Sequence, residues 1–216
     1  MLWAFALLAA VDLTSLAAGS EPGHLVAKPL LMPLLATYAA MCRAPRLLVA
    51  ALLCGWGGDL LLLFDAQPAF LAGMASFAAG HVCYLLLFAR SAPRARGALL
   101  ASCYALALVV TVALLWSGLP GGLRAPVAGY SLLLTAMAHR ATRLGVTAAA
   151  GGALFMLSDT LIATGVAGLP QLPRPDLWVM LTYTAAQYLL VSGVLGGPRE
   201  PSAPRSAYGE VRSTTP

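Results

Sequence analysis

Eight apolar stretches, separated by short breaks of Pro, Gly and charge, run through most of this 216-residue chain. They fall at roughly residues 2–18, 29–42, 47–64, 68–89, 97–117, 126–138, 145–168 and 177–196. About 20 consecutive apolar residues carry a helix across the hydrocarbon core of a bilayer. Only helices and closed barrels satisfy every backbone hydrogen bond there. The pattern therefore predicts an all-α fold, a polytopic bundle of eight transmembrane helices over residues 1–196. Hydrophobic residues make up 60% of the chain and charged ones 10%, against about 25% charge in an average soluble domain. A water-soluble fold could not hide that much apolar surface. The second and sixth stretches are short for a full crossing and are expected to borrow flanking residues, tilt, or thin the bilayer. Residues 197–216, rich in Pro, Ser, Thr and Gly with mixed charge, are expected to form a disordered tail.

The first stretch ends in Leu16-Ala17-Ala18-Gly19, as a cleaved signal sequence could. No Lys or Arg precedes it and Asp12 interrupts it, which favours an uncleaved helix. The basic residues then orient the bundle. Ten of them (Arg43, Arg46, Arg90, Arg94, Arg96, Arg140, Arg143, Arg199, Arg205, Arg212) fall in one alternating set of breaks, and three (Lys28, Arg124, Arg174) in the other. The rule that cytoplasmic loops are rich in Lys and Arg puts the ten inside, with both termini cytoplasmic. The net charge of +5 is thus a topology signal. No nucleic-acid partner is expected, since nothing interleaves Arg with aromatics on one surface. Cys42, Cys54, Cys83 and Cys103 lie in or beside apolar segments without a CxxC pair, and read as small buried hydrophobes.

A charge at the bilayer centre costs at least about 2.5–3.5 kcal/mol on insertion scales, so an acid there needs a reason. Three acids qualify, Asp12, Asp59 and Asp159, all on odd-numbered stretches. Counted from the inner ends at 1.5 Å per residue, they sit at depths of about 15, 18 and 21 Å. Three carboxyls at one level suggest a single polar cavity. Gly55 and Gly152 lie four and seven residues before Asp59 and Asp159, on or near the acid-bearing face, where small residues admit a close neighbour. The fourth stretch carries Gly80-His81 and Tyr84; the eighth carries Tyr183 and Gln187. His81 follows Asp59 by 22 residues, and Gln187 follows Asp159 by 28. This suggests two parallel four-helix repeats. Lys28, at the outer end of the second stretch, either snorkels to the interface or touches a polar group of a substrate. Asp12 either serves the site or pairs structurally with Lys28. The Gly73, Ser76, Gly80 stripe reads as a packing face. His24 and His139 lie in or beside breaks on opposite sides, so the three histidines cannot converge and no metal site is expected.

Several motifs recur in order from Lys28 to about Gly193: Lys28-Pro29-Leu30, Gly58-Asp59, Phe70 to Phe77 leading to Gly80-His81 and Tyr84, Gly129-Tyr130, Gly152 to Asp159, and Tyr183-Thr184-Ala185-Ala186-Gln187-Tyr188. This ordered set resembles the lysoplasmalogenase, or YhhN-like, family of integral membrane proteins. The resemblance implies a hydrolase acting on lysoplasmalogens, single-chain glycerophospholipids whose tail is joined by a vinyl ether. The products would be a fatty aldehyde and glycerophospho-ethanolamine or -choline, and the expected partners are the lysophospholipid substrate and membrane lipid. Asp12 has no counterpart in the resemblance.

A vinyl ether resists base and yields to acid. Protonation at the carbon beta to oxygen gives an oxocarbenium ion; water adds, and the hemiacetal collapses. The reaction needs a proton donor and an anion to steady the cation, and no cofactor. Burial keeps a carboxyl protonated, and two close carboxyls split into one acid and one base, as glycosidases do for a related cation. Asp59 and Asp159 are the expected catalytic pair. Lys28, His81, Tyr84, Tyr130, Tyr183 and Gln187 are the expected substrate-binding or orienting residues. The alternative is a proton-coupled small-solute transporter with midplane carboxylates, which predicts helices interrupted at the acids; Gly55, Gly57 and Gly58 allow such a break. A third reading makes the acids mere helix locks. High Ala, Gly and Leu content suggests a bacterial plasma membrane.

Overall fold

The computed structural model describes residues 1–90 and 98–196; the tail expected to be disordered lies outside these. Among the described residues there are eight α-helices: α1 (Leu2–Ala18), α2 (Glu21–Met41), α3 (Arg46–Leu61), α4 (Gln67–Ala89), α5 (Ala98–Trp116), α6 (Gly121–Ala141), α7 (Val146–Val166) and α8 (Pro175–Leu195). A 3₁₀ turn, Thr142–Leu144, joins α6 to α7. Five of the helices, α2, α4, α5, α7 and α8, are long and apolar enough to cross a membrane. The surface is inverted relative to a soluble protein. Trp3, Leu99 and Leu106 are exposed while Asp12, Asp59, His81 and Gln187 are buried, as expected for a multi-pass membrane protein whose polar side chains face the bundle interior.

The two stretches expected to be short are both 21-residue helices. Lys28 and His24 lower the hydropathy before Pro29, yet the helix continues through them to Glu21, with proline in its first turn and Pro29 and Pro33 inside. Pro33 has no N–H to give the carbonyl of Pro29, four residues back. Trp56 on α3 fills that gap: its Nε1–H donates to Pro29 O at 2.8 Å. A proline within a transmembrane helix is tolerated when a neighbour satisfies the freed carbonyl in this way. Trp56→Phe should therefore destabilise the fold by about 1 kcal/mol, read as a lowered thermal unfolding midpoint of the purified protein.

Helices adjacent in sequence pack side by side except α4 and α5, and α4 against α6 and α8 against α1 join the two halves. The most extensive seams, α3–α4 and α7–α8, are lined by small residues. Along α3–α4, a Cβ on Gly80 would lie 3.1 Å from Ala51 O, and Ser76 Oγ donates to Cys54 O at 2.7 Å. The Gly73, Ser76, Gly80 stripe is thus a packing face, as expected. Along α7–α8, Gly151 meets the Leu190 backbone and Gly193 the Ala148 backbone. Gly152 abuts the backbone of Ala138 on α6. These seams set the acid-bearing helices α3 and α7 against α4 and α8 at backbone distance.

Candidate active site

Gly19 adopts a left-handed conformation (φ 73°) and ends α1. Ser20 N–H reaches back to Ser15 O at 2.8 Å, so α2 returns alongside α1. This hairpin brings His24, which lies in α2 and not in a break, to Asp12: His24 Nδ1 is 2.8 Å from Asp12 Oδ1. Asp12 is fully buried, and its Oδ2 has no partner. Its side-chain partner is therefore His24, not Lys28.

Asp59 sits in α3 just before that helix ends and is sealed from solvent. Its Oδ2 accepts a hydrogen bond from Tyr183 Oη at 2.8 Å. Tyr183 Oη accepts from Gln187 Nε2, one turn further along α8, at 3.3 Å. Gln187 Oε1 in turn accepts from Tyr84 Oη on α4 at 2.7 Å. The chain Tyr84, Gln187, Tyr183, Asp59 crosses three helices, and every member is buried. Gly55 makes room for it, because a Cβ there would lie 3.0 Å from Tyr183 Oη and 3.1 Å from Gln187 Nε2.

Asp159 on α7 has a separate set of partners. Its Oδ2 accepts a short hydrogen bond from Tyr130 Oη on α6. His81 Nε2 on α4 lies 3.0 Å from the same hydroxyl and 3.9 Å from Asp159 Oδ2. A hydroxyl has one proton; with it given to Asp159, His81 Nε2 carries the hydrogen that Tyr130 Oη accepts. His81 Nδ1 is buried without a partner.

Aromatic rings stand where the two networks meet. Phe155 packs edge-on to Tyr183 at 5.5 Å, to His81 at 4.8 Å and to Phe77 at 6.4 Å between centroids. Phe77 reaches Tyr183 at 5.9 Å, and it fits only because residue 58 is glycine: a Cβ there would lie 2.4 Å from the ring. No hydrogen bond joins Asp59 to Asp159. Asp59 nevertheless lies within electrostatic reach of Lys28, Asp159 and Asp12.

The single polar cavity suggested by three carboxyls at one depth is not what forms. Each acid has its own hydrogen-bond donor, because a buried carboxylate must be paired where it stands. Two open spaces flank them instead. An apolar cavity of about 700 Å³, its mouth included, lies between α4, α5, α6 and α7, and Asp159 and Tyr130 line it among Phe70, Met74, Phe77 and Leu134. A polar vestibule of about 1040 Å³, mouth included, sits at the bundle end opposite the α2–α3 and α6–α7 turns, and Lys28 lines it. Leu62 lines both. Of the expected site residues, Tyr130 and Asp159 line the apolar cavity with the buried His81 against Tyr130, while Asp59, Tyr183, Gln187 and Tyr84 form the sealed chain. Lys28 stands apart in the vestibule. Sequence reasoning missed His24, Phe77 and Phe155. His24 was legible in principle, seven and five residues from the Gly19 turn being matching heights for Asp12 and His24. Among the described residues no three His, Cys, Asp or Glu side chains gather as a metal site would require.

A profile of the YhhN family matches residues 23–194, a span that holds every expected site residue. The chain belongs to the YhhN family. This YhhN chain is 39% identical over 153 residues to human lysoplasmalogenase TMEM86B, covering 71% of the chain and 65% of that protein. It is 40% identical over 152 residues to the pig protein of the same name, covering 70% and 65%. With the lysoplasmalogenase of Mycobacterium tuberculosis (strain CDC 1551 / Oshkosh) it shares 34% over 204 residues, covering 85% and 76%. The chain thus spans just under two thirds of the mammalian relatives' length. No solved structure matches it.

Proposed function

We propose that this YhhN chain is a lysoplasmalogenase, an ether hydrolase that releases a fatty aldehyde and glycerophospho-ethanolamine or -choline from lysoplasmalogen. The observation that carries this reading is Asp159, the one charged side chain among the lining residues, hydrogen-bonded to Tyr130 on the wall of a mostly apolar cavity. The names of the relatives support it. The alkenyl chain occupies the cavity. Tyr130 engages Asp159 Oδ2, which leaves Oδ1 to carry the catalytic proton. Asp159 gives that proton to the vinyl carbon beta to the ether oxygen, and the π electrons form the new C–H bond. The positive charge spreads over the alpha carbon and oxygen. Water then attacks the alpha carbon, and the Asp159 carboxylate takes its proton, ready for another cycle. The hemiacetal breaks its C–O bond to leave aldehyde and the glycerol hydroxyl. Asp59, behind the Phe77–Phe155 wall, steadies the cation through its charge, and Tyr183, Gln187 and Tyr84 hold it in place. His81 sets the Tyr130 hydroxyl.

Transport fits the helices less well. Both α3 and α7 run unbroken through their acids, where a transporter of this kind interrupts them. The Ala, Gly and Leu content supports a bacterial plasma membrane as the setting. A purified-protein assay separates the readings: aldehyde release from lysoplasmenylethanolamine supports the hydrolase, and solute flux into liposomes without aldehyde overturns it. Tyr130→Phe should lower kcat about 10–100-fold with KM little changed, since one hydrogen bond to a charged group is worth about 1.5–3 kcal/mol. The same aldehyde assay checks this.

A further inference from the structure

We propose that the polar vestibule is the receptor for a zwitterionic phosphodiester headgroup carried on a single-chain lipid, with Lys28 and Arg174 taking the phosphate and Glu21 and Asp176 the ammonium. The lipid it implies rests on the hydrolase reading; the headgroup chemistry rests on the vestibule's own residues.

Three chain-distant segments build this space: the α1–α2 turn with the first turns of α2, the end of α3 and the start of α8. They bring two cations and two anions to one cavity, yet among the described residues no ion pair within 4.0 Å involves any of the four. Opposite charges that share a space without neutralising each other match a ligand that is itself dipolar. Phosphate and ammonium joined by two carbons meet that description, and a simple anion would leave the two acids opposed to it. Two further features make the vestibule a built site. His24 lines it with Nδ1 tied to the buried Asp12, which fixes the imidazole ring in the vestibule wall. Arg174 holds a left-handed backbone conformation (φ 56°) at the start of α8, a region that side chains rarely occupy and that persists where the surroundings impose it. The turn is pinned by Trp178 Nε1 donating to Pro173 O at 3.1 Å.

Leu62 argues for a lipid over a free phosphodiester. It lines both the vestibule and the apolar cavity, so the two spaces are neighbours across one side chain, and a headgroup held in the first keeps its tail within reach of the second. The same placement puts the glycerol, between headgroup and tail, near the last turn of α3, which ends two residues after Asp59.

The test is equilibrium binding to the purified full chain in neutral detergent, by calorimetry. The probes are ester-linked lysophosphatidylethanolamine, monoacylglycerol (no phosphate), glycerophosphoethanolamine (no tail) and lysophosphatidic acid (no ammonium). Lysophosphatidylethanolamine should bind at least about tenfold tighter than the first two comparators, a difference of about 1.4 kcal/mol. Lys28→Gln and Arg174→Gln should each remove most of that advantage while leaving monoacylglycerol affinity unchanged, which also shows that the variants are folded. Glu21→Gln with Asp176→Asn should weaken lysophosphatidylethanolamine but not lysophosphatidic acid. Equal wild-type affinity for lysophosphatidylethanolamine and monoacylglycerol overturns the proposal, as does wild-type lysophosphatidylethanolamine affinity in both cation variants. So does equal affinity for glycerophosphoethanolamine and the intact lipid. None of the probes has a vinyl ether. Headgroup discrimination without aldehyde release from lysoplasmalogen would therefore sink the hydrolase reading and leave the vestibule standing; aldehyde release without discrimination would do the reverse.

Discussion

Asp159→Asn should release aldehyde from lysoplasmenylethanolamine roughly a hundredfold to ten-thousandfold more slowly than wild type, the range over which a positioned general acid contributes. Asparagine keeps the shape of the side chain and an oxygen for Tyr130 to donate to, so the unfolding midpoint and KM should change little. What it lacks is the proton. Asp59→Asn should also lower kcat by orders of magnitude, for a different reason: Tyr183 still finds an acceptor, but the negative charge within reach of the cation is gone. Full activity in either folded variant contradicts the pair. Steady-state kinetics beside thermal unfolding of each variant reads both quantities.

The second large effect is expected at Gly193. A Cβ there would stand 2.7 Å from Ala148 Cβ and 2.8 Å from Ala148 N, and backbone held in a helix cannot step aside as a side-chain tip can. Gly193→Val must push α8 away from α7, and with it Tyr183 away from the Phe155 ring. Overpacking of this kind costs about 3 kcal/mol, or about 6–12 °C in midpoint for a chain of this size. Activity should fall with it. Gly129→Ala is the control, since nothing lies within 4 Å of a Cβ at that position, and its midpoint should match wild type. Differential scanning fluorimetry of the three proteins gives the comparison.

The sequence shows the acids, the seams and the number of helices because each leaves a local mark. A carboxylate inside an apolar run is conspicuous, and so is a glycine repeated at helical spacing. The start of α2 was hidden because hydropathy averages over side chains: Lys28 and His24 read as a break, although they sit on a helix in which the carbonyl freed by Pro33 is satisfied from α3. The convergence of His81, Tyr130 and Asp159 was out of reach for another reason. These residues are 49 and 29 positions apart, and spacing along a chain says nothing of how three helices are rotated about their axes. Phe77 and Phe155 carry no mark at all, since a ring that separates two acids and a ring that fills a core look the same in sequence. The suggested four-helix repeat does not extend to the groups that hold the acids: Asp59 takes its hydroxyl from α8 and Asp159 from α6, which are not equivalent positions in two parallel halves.

The central claim is that a carboxyl of this protein protonates a vinyl carbon in the slow step of the reaction. Hydrolysis of lysoplasmenylethanolamine by the purified protein in D₂O, set beside the same reaction in H₂O, tests it. Aldehyde release should be slower in D₂O, and the aldehyde should carry solvent deuterium on the carbon next to the carbonyl. Equal rates in the two solvents, an aldehyde without deuterium, or no aldehyde in either solvent would contradict it.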